Sequence, residues 1–287
     1  MLDFEKTRLD KCIRRMYGRH IPQSVIEKAL RNKDILVNGM KAKSSDRVSE
    51  GDEIFVHPAI CRSFADICDA IPRKNLARDY SNYVEQFKKM IIYEDDDLII
   101  INKPAGLASQ LGTKTKLAVD VMAKAYNPEA RLVHRIDKET SGIVVLAKNI
   151  ETSRYMLHLF QTKQICKKYL AVVPGKLRVL EGTISKPLVK YKEKVIVDFK
   201  NGKKAVTEFR VIKNLNKNRT LIEAKPLTGR THQIRAHLAS IGYPIIGDTK
   251  YEGQKSDRLY LHSIEISFKT RRGVILTKRT PPPSDFV

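Results

Sequence analysis

The chain has 287 residues, 42% of them apolar, with 54 Lys and Arg against 32 Asp and Glu and a formal charge of +22. That length accommodates one large and one small domain, each with its own core, and no run approaches the roughly 18 apolar residues of a membrane helix. A balance this basic points to a polyanionic partner, nucleic acid first. The opening MLDFEKTRLDK has no apolar leader, so a cytoplasmic protein is expected. The four cysteines, Cys12, Cys61, Cys68 and Cys166, and the seven histidines fit no metal-ligand spacing. Free thiols and no metal site are expected.

The basic charge is concentrated in two places. Residues 160–235 carry 19 Lys and Arg against 5 Asp and Glu, and residues 6–33 carry 9 against 2. In chain order, residues 1–57 read as a self-contained module. Leu9, Ile13 and Met16 fall at helical spacing. Pro22 opens a second helix whose apolar face is Val25, Ile26, Ala29 and Leu30. Strands follow at Ile35–Val37 and Ile54–Val56, with the hairpin signal Asn38-Gly39 after the first. Residues 58–89, interrupted by Pro58 and Pro72, read as a linker with helical character near Asn82–Met90.

From residue 90 to 287 the pattern is mostly strands. DLIIINKPAGLAS, SGIVVLAK and KKYLAVVPG are buried strands, SRYMLHLFQTK and RTHQIRAHLASIG are amphipathic helices, and two long strands lie between Lys204 and Gly229. Strand follows strand with few helical crossovers. The expected class is α+β, a mixed or antiparallel sheet with peripheral helices, behind a small N-terminal αα-β module.

Three segments place polar groups where a core pattern would not: His134-Arg135-Ile136-Asp137, Tyr169 inside a strand, and Thr228-Gly229-Arg230 before a helix. Asp137 feeds a buried strand, and a desolvated carboxylate needs a cation beside it. Arg230 is the leading candidate. Such a pair suits a nucleophile or general base, and an ion pair that only braces the loop fits the residues equally well. There is no G-x-S-x-G elbow, no phosphate loop and no dinucleotide fingerprint. Any chemistry is therefore expected to use side chains without a cofactor.

The motifs HRIDKETSGIVVLAK, KKYLAVVPG, NKPAGL and LTGRTHQIRAHLASIGYPIIGDTKY, all within residues 91–280, closely resemble the RluA family of pseudouridine synthases. Within it, the layout is most similar to the RluC and RluD branch that modifies large-subunit ribosomal RNA, with the RluC side favoured. The resemblance implies that Asp137 is the catalytic aspartate, that Arg135 helps displace the target uridine, and that Tyr169 stacks on its base. It also implies that Arg230 pairs with Asp137 and that Leu261 lines the pocket. Ile136 stands where leucine is usual. Residues 1–57 resemble an S4 domain, which implies an RNA-gripping face of Lys11, Arg14, Arg15, Arg19, Lys28, Arg31 and Lys33. The expected partner is large-subunit ribosomal RNA, and the expected state is a monomer. The rival readings are a non-catalytic RNA-binding assembly factor and a hydrolase using Asp137.

Overall fold

The computed structural model describes residues 7–18, 21–69, 73–111, 117–216 and 218–286. The chain divides into two units, Met1–Arg78 and Asp79–Val287. No helix among the described residues is long and apolar enough to cross a membrane.

The first unit contains β1 (Thr7–Arg8), α1 (Leu9–Tyr17), α2 (Gln23–Arg31), β2 (Ile35–Val37), β3 (Met40–Lys41), β4 (Arg47–Val48), β5 (Ile54–Val56) and α3 (Pro58–Asp69). Strands β3, β2 and β5 form an antiparallel sheet, and β1 pairs with β4. Asn38 and Gly39 both take positive φ, as the two-residue hairpin between β2 and β3 requires. The core is Leu9, Ile13, Ile26, Leu30, Ile35 and Phe64. Met16, expected on the inner face of α1, is exposed. Within the stretch expected as a linker, α3 spans Pro58–Asp69 and α4 spans Arg73–Met90, so the helical character expected near Asn82–Met90 extends further along the chain. Proline is tolerated in the first turn of a helix, so Pro58 starts α3 rather than breaking it. Phe64 belongs to the first core and Phe87 to one in the second unit.

The second unit continues with β6 (Ile91–Glu94), β7 (Leu98–Lys103), α5 (Val119–Tyr126), β8 (Arg131–Leu132), β9 (Ser141–Ala147), α6 (Ile150–Gln161) and β10 (Cys166–Pro174). After these come β11 (Glu181–Ser185), β12 (Leu188–Tyr191), β13 (Lys194–Val197), β14 (Val206–Leu215), β15 (Arg219–Pro226), α7 (Gln233–Ala239), β16 (Leu261–Lys269) and β17 (Ile275–Arg279). The main sheet runs β11-β14-β15-β10-β16-β9-β7-β6, with β17 on β16 and β8 on β9. The β9–β16 pair is parallel and its neighbours are antiparallel, so the sheet is mixed and the class is α+β.

All seven residues of β9 are buried, because both faces are covered. Side chains alternate across a strand. Ile143, Val145 and Ala147 pack with Met156 and Leu159 of α6, while Val144 and Leu146 pack with Met122 of α5 and Phe87 of α4. At roughly 1.5–3 kcal/mol for each large apolar side chain, this strand is a rigid support for the loop before it. Gly142 sits where β9 meets β16. Its φ is +110°, and a Cβ there would lie 2.3 Å from the carbonyl oxygen of Ser263. Only glycine permits that approach.

Candidate active site

The loop 135–140 enters β9 and is fixed by its backbone. Ser109 Oγ donates to the Ile136 carbonyl at 2.7 Å and accepts from the Ile136 amide at 3.2 Å. The carbonyl of Lys138 receives the Gly106 amide at 2.9 Å and Lys103 Nζ at 3.1 Å. Lys103 is fully buried, and its other hydrogens go to the carbonyls of Pro104 and Leu107 at 2.8 and 2.7 Å. Burial pulls its ammonium down to about 7. Three carbonyl acceptors around three N–H groups is nevertheless the geometry of the charged form. Lys103 and Ser109, both in the strand-and-turn NKPAGLAS, hold Asp137 in place without touching it.

Asp137 lies on a cleft of about 270 Å³ whose lining includes Arg135, Tyr169, Arg230, His232, Arg235 and Leu261. Its Oδ2 accepts from Arg235 Nη1 at 3.2 Å, and His232 Nε2 lies 3.7 Å from the same oxygen. Its Oδ1 receives no hydrogen bond from any described residue. One oxygen is thus anchored and the other is left for whatever occupies the cleft.

The cation beside Asp137 is Arg235, not Arg230. Arg230 is exposed on the turn before α7, where its Nε donates to the Lys204 carbonyl at 3.2 Å. Arg235 is buried in α7 and binds Asp248 with both arms, Nε to Oδ2 and Nη2 to Oδ1, each at 2.7 Å. Asp248 is fully enclosed, so the bidentate pair fixes the guanidinium plane and aims Nη1 at Asp137. Burial explains the choice. Six of the seven residues of QIRAHLA are buried, and a charge in a helix without a solvent face must have a partner. Asp248, directly after the apolar run Ile245-Ile246-Gly247, needs one for the same reason.

The loop leading into α7 is fixed by Gln233. Its Oε1 accepts from Thr228 Oγ1 at 2.7 Å and the Arg230 amide at 3.0 Å, and its Nε2 donates to the Val206 carbonyl at 2.9 Å. His232 caps the helix in a left-handed conformation at φ 50°, ψ 21°. Burial holds its imidazole below the usual range, against the pull of Asp137.

Tyr169 is on β10, at a register shift between Lys168 and Tyr169 against β16, the kind of irregularity that re-aims a side chain. Burial pushes its phenol up to about 12. It stays protonated at neutral pH, so it offers a flat ring and a neutral hydroxyl rather than a phenolate base. Leu261, 3% exposed, starts β16 on the floor of the cleft. Arg135 is exposed at the mouth. Lys167, which sequence reasoning missed, adds a further cation to the lining. His134 accepts the Val145 amide at 2.9 Å and stacks on Phe160, and burial pulls it down to about 3. It is a neutral brace for β9.

In the first unit Lys11, Arg15, Lys28, Arg31 and Lys33 are exposed, with no ion pair among the described residues. Arg14 departs from the expectation. Its guanidinium donates to the Ile21 carbonyl at 2.9 Å and to Gln23 Oε1 at 2.8 Å, so it is committed to joining α1 to α2. Arg19 lies outside the described residues.

The chain is similar to known proteins. Residues 97–240 match the model of the family described as RNA pseudouridylate synthase, and the chain belongs to that family. Among similar proteins are two named ribosomal large subunit pseudouridine synthase C. One, from Rickettsia bellii, is 42% identical over 91% of this chain and 89% of its own length. The other, from Vibrio parahaemolyticus, is 34% identical over 93% of this chain and 86% of its own. Among solved structures, human RNA Pseudouridylate Synthase Domain Containing 4 superposes with a TM-score of 0.63 at 25% identity, covering 74% of this chain and 95% of that one.

Proposed function

We propose that this protein isomerises uridines of large-subunit ribosomal RNA to pseudouridine, with Asp137 as the residue that acts on the nucleoside. The observation that carries the reading is the split of the Asp137 carboxylate: Oδ2 is held by Arg235, and Oδ1 is open to a cleft floored by Leu261 and lined by Tyr169. In the reaction the N1–C1′ bond breaks, C5 bonds to C1′, the C5 proton leaves and N1 gains one. Asp137 can attack the sugar, attack the base or take the 2′ proton. Each route needs one free carboxylate oxygen and a base removed from its stack into a protected pocket. Tyr169 offers such a base a stacking face, and Arg135, Lys167 and Arg230 offer cations to the phosphates around it. The names of the relatives support large-subunit ribosomal RNA as the substrate, and the net charge of +22 supports a polyanion. The exposed lysines and arginines of the first unit serve as a second, S4-like grip on the backbone. The protein acts as a monomer in the cytoplasm.

Asp137→Asn tests this with unmodified large-subunit ribosomal RNA. Pseudouridine formation is expected to be lost while RNA affinity changes by less than about twofold, since the variant removes charge without volume. Undiminished conversion would remove Asp137 from the chemistry. Binding without conversion by the wild type itself would favour a binding protein without catalysis, and free uracil with abasic RNA would favour a hydrolase.

A further inference from the structure

Tyr251 is half-buried beside α7 and holds two elements together. The Val195 amide of β13 donates to Tyr251 Oη at 3.0 Å, and Tyr251 Oη lies 3.1 Å from His232 Nδ1. The tyrosine ring also lies beneath the Arg235 guanidinium, 5.3 Å from its centroid. A hydroxyl has one proton to give. Among the described residues, the only acceptor that Oη can give it to is His232 Nδ1. The Val195 amide has no choice of role, so it always donates to Oη. The low-energy arrangement is then a one-way chain: Val195 N–H to Tyr251 Oη, Tyr251 O–H to His232 Nδ1.

Such a chain favours one tautomer of His232. A neutral imidazole that accepts at Nδ1 carries its proton on Nε2, and Nε2 faces Asp137 Oδ2 at 3.7 Å. The opposite tautomer would turn a lone pair toward a carboxylate. We infer that His232 is a positioning residue for Asp137, kept as the Nε2–H tautomer by Tyr251, and that its N–H closes on Oδ2 when RNA fills the cleft. This rests on the reading of Asp137 given above. It gives Oδ2 two donors from different directions, Arg235 and His232, so that the carboxylate cannot rotate and exchange its anchored and free oxygens. The left-handed backbone of His232, uncommon for a non-glycine residue, is the conformation from which its ring reaches Asp137 and Tyr251 at once. The Val195–Tyr251–His232 hydrogen bonds thus link the neighbourhood of Asp137 to the hairpin β12–β13, on which Lys190, Lys192 and Lys194 are exposed.

The test is the full-length protein with ¹⁵N-labelled imidazoles, first without RNA. The ring nitrogens of His232 are expected to show the Nε2–H tautomer at neutral pH in the wild type. In Tyr251→Phe, which keeps the ring under Arg235, they are expected to become a mixture or the Nδ1–H form. Single-turnover conversion at saturating RNA is the second readout. Tyr251→Phe and His232→Leu are each expected to lose about 10-fold or more, the scale of one hydrogen bond to a charged group, at unchanged RNA affinity. His232→Gln, whose amide places an N–H near the position of Nε2, is expected to stay within about threefold of the wild type. An Nδ1–H tautomer in the wild type overturns the proposal, as does a Tyr251→Phe variant with unaltered tautomer and rate. So does equal loss in His232→Gln and His232→Leu, which would mark a packing role only. The tautomer is read without substrate, so it stands or falls separately from the Asp137→Asn result.

Discussion

Arg235 and Arg230 are five positions apart and differ in what surrounds them. Arg235 is shared between two carboxylates inside the protein, whereas Arg230 touches one backbone carbonyl at the surface. Arg235→Ala leaves Asp248 buried and unpaired, and by urea denaturation it is expected to cost about 3–5 kcal/mol. Conversion should fall with it even at temperatures where the variant remains folded, because Asp137 Oδ2 loses its cation. Arg230→Ala is expected to stay within about 0.5 kcal/mol of the wild type in the same denaturation and to weaken RNA binding only. Equal stability losses in the two variants would contradict the assignment of partners. Asp137 and Tyr169 stand out in the chain because a charged or polar group beside or within an apolar strand does so, whereas Leu261 is singled out only by the family resemblance. The identity of the partner was not readable. Either arginine of GRTHQIR can reach a carboxylate in principle, and only the direction in which α7 buries its faces decides between them.

Among the elements, α6 shows how a loop carboxylate can set the start of a helix. Asn149 caps the helix by accepting the Thr152 amide at 2.8 Å, and Asp97 Oδ1 in turn accepts from Asn149 Nδ2 at 3.0 Å and Thr152 Oγ1 at 2.9 Å. These two hydrogen bonds, more than the nearby Arg271 and Arg272, hold the Asp97 carboxyl below the usual range. A depressed carboxyl contributes stability that is present above its unfolded value of about 3.9 and is lost as pH falls through the folded one. Asp97→Asn is therefore expected to lower stability at pH 7 and to flatten its fall below about pH 4, followed by thermal denaturation across that range. A fall as steep as in the wild type would assign the acid limb to other groups. The elements themselves were largely legible: the apolar runs of β7, β9 and β10 and the periodicity of α6 appear where the pattern places them, whereas α7, expected to be amphipathic, is buried nearly all round. Residues 58–89 were not. Pro58 and Pro72 suggested breaks, but Pro58 stands at the start of a helix, where proline costs nothing, and burial of Phe64 and Phe87 supplies order that local pattern lacks; Pro72 lies outside the described residues.

Over the whole molecule, the charge of +22 is far from evenly spent. Arg14 and Arg235 are committed inside the protein, whereas Lys11, Arg15, Lys28, Arg31 and Lys33 are exposed. Replacing these five by alanine is expected to weaken binding to ribosomal RNA and to reduce the slope of log affinity against log salt by about 0.7 for each phosphate no longer neutralised. Filter binding at several salt concentrations reads both, and an unchanged slope would place the RNA-gripping surface elsewhere. The sequence by itself determined the class of fold, the family resemblance, the polyanionic partner and the aspartate in the loop before β9, because each follows from local pattern, composition or a contiguous motif. The tertiary structure decided what touches that aspartate and what holds it. Arg235, His232, Asp248, Lys103 and Tyr251 are separated along the chain by up to about 150 residues. They meet because β9 and β16 run side by side and α7 packs against the same sheet, and pairings made across a sheet are set by its strand order, which no local stretch of sequence encodes.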